Sequence, residues 1–233
     1  MAEAQPISVK GEVRIEEPTA AQRTVARRTA EARATVPHIE MSAEAEMTAA
    51  LAQREREREG DPERWSLTAL FVRSCALALR ELPYANAAYR DGRFELYSRI
   101  NVGVVVTGGE TYVIPTVFDA DRKTLPELTA EIEKLRRDAL ARTLAAPAFS
   151  GATFTLWNAG AHGLSSSSLV INPPQAGALA FGLVRSAPAL ESAQAIPRRT
   201  MTIMLACDHR ILYGDRASRF LATVKARLEG PAP

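Results

Sequence analysis

The chain is short of several things that define other classes of protein. Cysteine is scarce: Cys75 and Cys207 are the two among 233 residues, each inside an apolar run, and no Cys-x-x-Cys occurs. That argues against a disulfide framework or a zinc ribbon and fits a reducing, cytoplasmic setting. Both cysteines read as small buried hydrophobes. Cys207 precedes His209 by two residues, which raises a Cys–His nucleophile. Residues i and i+2 share a face on any strand, however, so the spacing alone carries little. Charge of one sign is also lacking. Lys and Arg total 29 against 27 Asp and Glu, a net +2, which speaks against a nucleic-acid partner. No apolar stretch approaches a membrane span. The opening "MAEAQPISVKGEVRIEEP" lacks the basic start and apolar core of a secretory signal. The three histidines, His38, His162 and His209, are scattered without paired cysteines or carboxylates, so no metal site is expected. There is no internal repeat and no low-complexity segment.

What is present is ordinary globular material, 46% apolar and 24% charged. Residues 1–14 read as an extended or disordered lead-in, and 15–233 as one domain. "PTAAQRTVARRTAEARATV" is Ala- and Arg-rich, a helix that Pro37 ends. "HIEMSAEAEM" alternates, with Ile39, Met41 and Ala43 on one face of a strand. "TAALAQREREREG" reads as a helix closed by Gly60, its alternating charges forming a solvated face. Ser66 is placed to cap a helix over 67–82 that is apolar nearly all round and should be deeply buried. "RFELYS", "RINVGVVVT" and "ETYVIPTVF" read as strands, the last two joined at Gly108-Gly109. Thr124 and Glu127 form a capping box for a helix over 124–142, with Leu125, Leu128, Ile132, Leu135 and Ala139 as its stripe.

Beyond Gly151 the chain turns to strands: "ATFTLWN", "SLVIN", "GALAFGLVR" and "RRTMTIMLACD". The stretch "VRSAPALESAQAIPRR" reads as an exposed loop between two of them, and "NPPQ" as a turn. A last helix runs from about Asp215 to Glu229, with Phe220, Leu221, Val224 and Leu228 inward and Gly230 closing it. The class is α+β, helices segregated from strands.

The order of segments resembles the catalytic core of the dihydrolipoamide acyltransferases of 2-oxoacid dehydrogenase complexes. "RTVARRTAEARATVPHIEM", "FVRSCALALRELPYANAAYRDGR", "GATFTLWNAGAHG", "VINPPQAGALAFG" and "CDHRILYGDRASRFLATVKARLEGP" carry the resemblance, over roughly residues 15–231. It implies a chloramphenicol acetyltransferase-like fold, a mixed or mostly antiparallel sheet with flanking helices, assembled as a homotrimer or larger. It implies acyl transfer from a dihydrolipoyl thioester to coenzyme A, with other complex components as partners. Residues 1–14 are too few for a lipoyl or peripheral-subunit-binding domain, so the lipoyl group is expected from another chain.

The resemblance assigns His209 as general base on the incoming thiol, within Asp208, Arg210 and Gly214 of the family's His-Arg-x-x-Asp-Gly turn. Two positions depart. Tyr213 stands where the family carries a carboxylate or amide, and Tyr cannot reproduce a bidentate pairing with arginine. Asp215 is the available compensating carboxylate, with capping of the last helix as its expected role. Trp157 stands where the family carries the serine that donates to the oxyanion. An indole N–H is a donor, but the ring would fill the space a thioester needs. Asn158 is a donor on the opposite strand face. His162 reads as a turn histidine and His38 as structural. The alternatives are a trimeric scaffold of the same fold without chemistry, or transfer on a different thioester or acceptor, with Trp157 reshaping the pocket.

Overall fold

The helix starts foreseen in the sequence are in place in the computed structural model, which describes residues 11, 13–58, 65–108, 111–191 and 194–232. Most of the lead-in, Gly60 and Gly109 lie outside the described residues. Helix α1 (Ala20–Thr35) begins at a capping box in which Gln22 and Thr19 exchange bonds. Strand β1 (His38–Glu46) follows, then α2 (Thr48–Arg58) and α3 (Leu67–Glu81). Ser66 caps α3, its hydroxyl accepting from Ala69 N–H at 3.1 Å. A hairpin, β2 (Ala87–Arg90) with β3 (Arg93–Leu96), leads into β4 (Val102–Val104), β5 (Val106–Gly108), β6 (Thr111–Val113) and β7 (Thr116–Val117). The strands on either side of the expected Gly108-Gly109 turn do pair antiparallel, with Gly108 opposite Thr111. Helix α4 (Leu125–Leu140) starts where Glu127 accepts from both the N–H and the hydroxyl of Thr124, each at 2.7 Å. Then come β8 (Phe154–Asn158), β9 (Gly177–Phe181), β10 (Arg185–Glu191), β11 (Gln194–Asp208) and α5 (Gly214–Glu229).

The main sheet has the order β1-β11-β9-β8-β4-β7, with β10 hairpinned onto β11. It is mixed: β8 runs parallel to both β4 and β9, and the other neighbours are antiparallel. Side chains alternate across it. Phe154, Leu156, Leu179, Phe181, Ile203 and Leu205 are fully buried against α3, α4 and α5. Phe71 of α3 stacks on Phe181 with ring centres 4.3 Å apart. As expected, α3 is buried nearly all round, while α1 buries only Ala32.

Three sequence expectations fail. "SLVIN" is no strand but an irregular segment. Its Ile171 N–H donates to His38 Nε2 at 3.0 Å, so that part of the backbone is satisfied by a side chain instead of a ladder. "VRSAPALESAQAIPRR" is no loop, because Arg185–Glu191 pairs along Gln194–Thr200. Asp215 does not cap α5: Tyr213 holds the cap position without a side-chain bond, and Asp215 sits in the first turn, ion-paired to Arg219 at 2.9 Å.

Candidate functional site

His209 sits in the turn between β11 and α5. The turn is tied by its own backbone, since Ile211 and Leu212 N–H both donate to Asp208 O at 2.9 Å. The Asp208 carboxylate is buried, and Arg210 grips it as a fork, Nε to Oδ1 at 2.9 Å and Nη2 to Oδ2 at 2.6 Å. This bond raises the Arg210 pKa above its ordinary value. A second anchor joins the turn to the end of α1, where His209 N–H donates to Pro37 O at 2.9 Å. His209 itself is exposed on the single chain. A buried carboxylate gripped by a half-buried arginine thus holds an exposed imidazole between two fixed neighbours.

Cys207 does not join it. The thiol is buried, donates to Leu212 O at 3.4 Å, and is pushed up to about 12 by burial first and the Asp208 charge second. A thiol that stays protonated is not a nucleophile. Burial also raises the Cys75 pKa.

Trp157 lies on β8, on the sheet face away from the core helices. Its ring is half-buried and its Nε1–H is enclosed without a hydrogen-bond partner. An enclosed N–H is out of reach of a substrate oxygen unless the ring moves. Asn158 points the other way and is used by the fold, donating to Thr68 at 3.0 Å and accepting from Ala161 N–H at 3.2 Å. His162, exposed in the next turn, has its ring 6.0 Å from the indole and its Nε2 3.0 Å from Thr107 Oγ1. That turn packs tightly: a Cβ on Gly160 would meet Gly182 O at 2.4 Å, and one on Gly182 would meet Ser165 O at 2.0 Å. His38 is structural. Its Nδ1 lies 2.8 Å from Val36 O while Nε2 accepts from Ile171, which fixes the tautomer.

The structure does not bring Trp157 and His209 together. Trp157 pairs with Ala180, and Ala180 with Met204, so His209 lies five residues farther along the chain, just past the end of β11. At about 3.3 Å per residue and about 4.8 Å per strand, the two are roughly 16 Å apart along the sheet and roughly 10 Å across it. One acyl group cannot touch both within one chain. A cavity of about 500 Å³ lies between α1, β6 and residues 170–173, and one of about 600 Å³ opens beside Asn86. Neither is lined by His209 or Trp157.

Tyr213 is exposed, and its ring faces a cation: the Arg216 guanidinium lies 4.9 Å from the ring centre. Arg216 lies 3.8 Å from the Tyr84 ring centre as well. Sequence reasoning did not find Arg216. The only available signal was a second arginine three residues after an unexpected tyrosine.

Known proteins bear on these positions. A family model described as the catalytic domain of 2-oxoacid dehydrogenase acyltransferases matches residues 10–233. The acetyltransferase component of the pyruvate dehydrogenase complex of Rhizobium meliloti is 30% identical over 217 residues, 90% of this chain and 48% of that protein. The succinyltransferase component of the 2-oxoglutarate dehydrogenase complex of Bartonella vinsonii is 33% identical over 218 residues, 91% of this chain and 53% of that protein. The chain therefore spans about half the length of these curated relatives. Among solved structures, the truncated catalytic core of the 2-oxoacid dehydrogenase multienzyme complex of Thermoplasma acidophilum superposes with a TM-score of 0.87 at 26% identity, covering 95% of this chain and all of that one. Chloramphenicol acetyltransferase shares the fold, with a TM-score of 0.54 at 15% identity and coverage of 87% of this chain and 94% of that one.

Proposed function

This chain belongs to the 2-oxoacid dehydrogenase acyltransferase catalytic-domain family, and we propose that it moves an acyl group between a dihydrolipoyl thioester and coenzyme A with His209 as general base. Residues 15–233 form the catalytic core domain, and the lipoyl group comes from outside it.

The step is a thioester exchange. The imidazole of His209 takes the proton of the coenzyme A thiol, because only the thiolate attacks well. The new sulfur–carbon bond forms as the thioester carbonyl becomes a tetrahedral oxyanion. The bond to the lipoyl sulfur then breaks, and the proton passes from His209 to the departing thiolate. The observation that carries this reading is the presentation of an exposed His209 by the fork of Arg210 on the buried Asp208 carboxylate.

The active unit is a homotrimer, alone or within a larger assembly and alongside other components of a 2-oxoacid dehydrogenase complex. The distance between His209 and Trp157 along one sheet supports this, since a site using both ends needs two chains. Its place is the cytoplasm, where two buried thiols are stable. Among the described residues no helix is long and apolar enough to cross a membrane.

The half-buried indole at 157 favours a rival reading, a trimeric scaffold that lost the chemistry. One assay separates the two. Purified protein is given acetyl- and succinyl-dihydrolipoamide with coenzyme A, beside His209→Ala. Transfer that His209→Ala lowers by about 100- to 10,000-fold, with assembly intact by light scattering, is the expected result. Transfer indifferent to the substitution refutes the base. No transfer from either donor leaves the scaffold standing. A clean monomer at micromolar concentration refutes the trimer.

A further inference from the structure

A run of contacting side chains leaves the His209 turn at one end and re-enters it at the other. Tyr213 faces the Arg216 guanidinium at 4.9 Å, and the same guanidinium lies 3.8 Å from the Tyr84 ring centre. Tyr84 meets Phe94 edge-on at 6.0 Å, and Phe94 meets Tyr89 at 5.8 Å. Arg210 lies over Tyr89 at 4.7 Å and returns the run to Asp208 through its fork. Arg216 also reaches the turn directly, Nη1 donating to Ile211 O at a long 3.5 Å. Both arginines of the run therefore stack on tyrosines that follow α3, Tyr84 in the Pro83–Ala85 turn and Tyr89 on β2.

The chemistry of these contacts bears on Tyr213. A tyrosine cannot offer arginine two carboxylate oxygens. It offers the negative face of a ring, which attracts a flat guanidinium without using the hydroxyl. Tyr213 can therefore hold an arginine by a different force from the one a carboxylate would use. A lysine, a compact and strongly hydrated charge, would hold less well.

We propose that Arg216, set against Tyr213 and Tyr84, is a positioning residue that fixes the turn carrying His209. The proposal rests on the reading of His209 as general base. Tyr213 is then a replacement for the polar anchor and not a sign of lost chemistry. Arg216 does not touch substrate. It acts by keeping the imidazole where the thiol arrives.

The test uses the full chain in four variants: Arg216→Met, Arg216→Lys, Tyr213→Leu and Tyr213→Phe. Two quantities are read, steady-state acyl transfer to coenzyme A and hydrogen exchange of the peptide containing Ile211 and Leu212. Arg216→Met and Tyr213→Leu should lower kcat by roughly ten- to a hundredfold, as a misplaced catalytic group does. KM for coenzyme A should stay within about twofold, the split expected when ground-state binding is untouched. Exchange at Ile211 and Leu212 should rise about tenfold, reporting local opening of the turn. Tyr213→Phe should match wild type in both, and Arg216→Lys should fall between. Wild-type exchange and kcat in Arg216→Met would overturn the proposal. So would a Tyr213→Phe as damaged as Tyr213→Leu, or a raised KM at unchanged kcat. A wild type that transfers no acyl group would refute the base reading and, with it, the positioning role. Exchange would then still report whether the contacts clamp the turn.

Discussion

The two faces of the central sheet are packed by different means. On one, Leu156, Leu179, Phe181, Ile203 and Leu205 meet helices, and large apolar side chains interlock. On the other, Thr155, Trp157, Ala178, Ala180 and Met204 alternate with them, and much of the cover is the irregular segment ending in Gln175. Polar pairs do the joining there: Thr155 donates to Gln175 at 2.6 Å, Gln175 donates to Ala152 O at 3.1 Å, and His38 accepts from Ile171. The helical face supplies the stability of the single chain. The other carries Trp157 and, on our proposal, the contact with a neighbour.

Substitutions on each face should separate these roles. Phe181→Ala removes a fully buried ring stacked on Phe71, and should lower stability by about 3–5 kcal/mol, read as a shifted urea midpoint. If it instead alters acyl transfer with the midpoint unchanged, the division between faces is wrong. Trp157→Ser should do the converse. It should free space for a thioester and raise transfer at least about tenfold, ~1.4 kcal/mol of barrier, while weakening the trimer. If the variant is no faster with its trimer intact, Trp157 is not the obstacle. Gln175→Ala strands the buried Thr155 hydroxyl and should cost about 1–3 kcal/mol. A loss too small to detect would mean the loop-covered face is not held by its polar pairs.

The smallest effect belongs to Glu127, far from either face's centre. Bonds from the N–H and then the hydroxyl of Thr124 hold its carboxyl below the ordinary range. A folded-state pKa below the unfolded one gives stability that is present above the unfolded pKa and lost as pH falls through the folded one. Glu127→Gln should therefore flatten the acid limb of melting temperature against pH below about pH 4.3. Melts from pH 3 to 7 check this, and an unchanged acid limb would remove Glu127 as a contributor.

The helical face was the legible one. Ser66, Thr124 with Glu127 and Gly230 mark helix ends by local chemistry, and the stripes of α4 and α5 repeat at helical spacing. The other face was not, because its contacts join residues far apart in sequence and are polar. "SLVIN" has a strand's composition, but His38 takes its Ile171 N–H. The hairpin of β10 and β11 was hidden by two prolines. Pro188 and Pro197 stand opposite one another, past Thr200, the last β11 residue paired with β1. Among the described residues the ribbon has no third strand there, and prolines are tolerated on such edges. At the candidate site, the turn that presents His209 was legible from its motif. Arg216 was not, because a cation over an aromatic ring leaves no fixed spacing in a sequence.

The separation of Trp157 from His209 has a consequence for inheritance. If every site takes one end of the sheet from each of two chains, damage at one end does not travel with damage at the other. A cell making one version disabled at His209 and another disabled at the β8 end would build mixed assemblies. Some sites in them would combine the sound half of each version. Two alleles that are each null alone would complement one another, and the recovered activity would depend on their expression ratio.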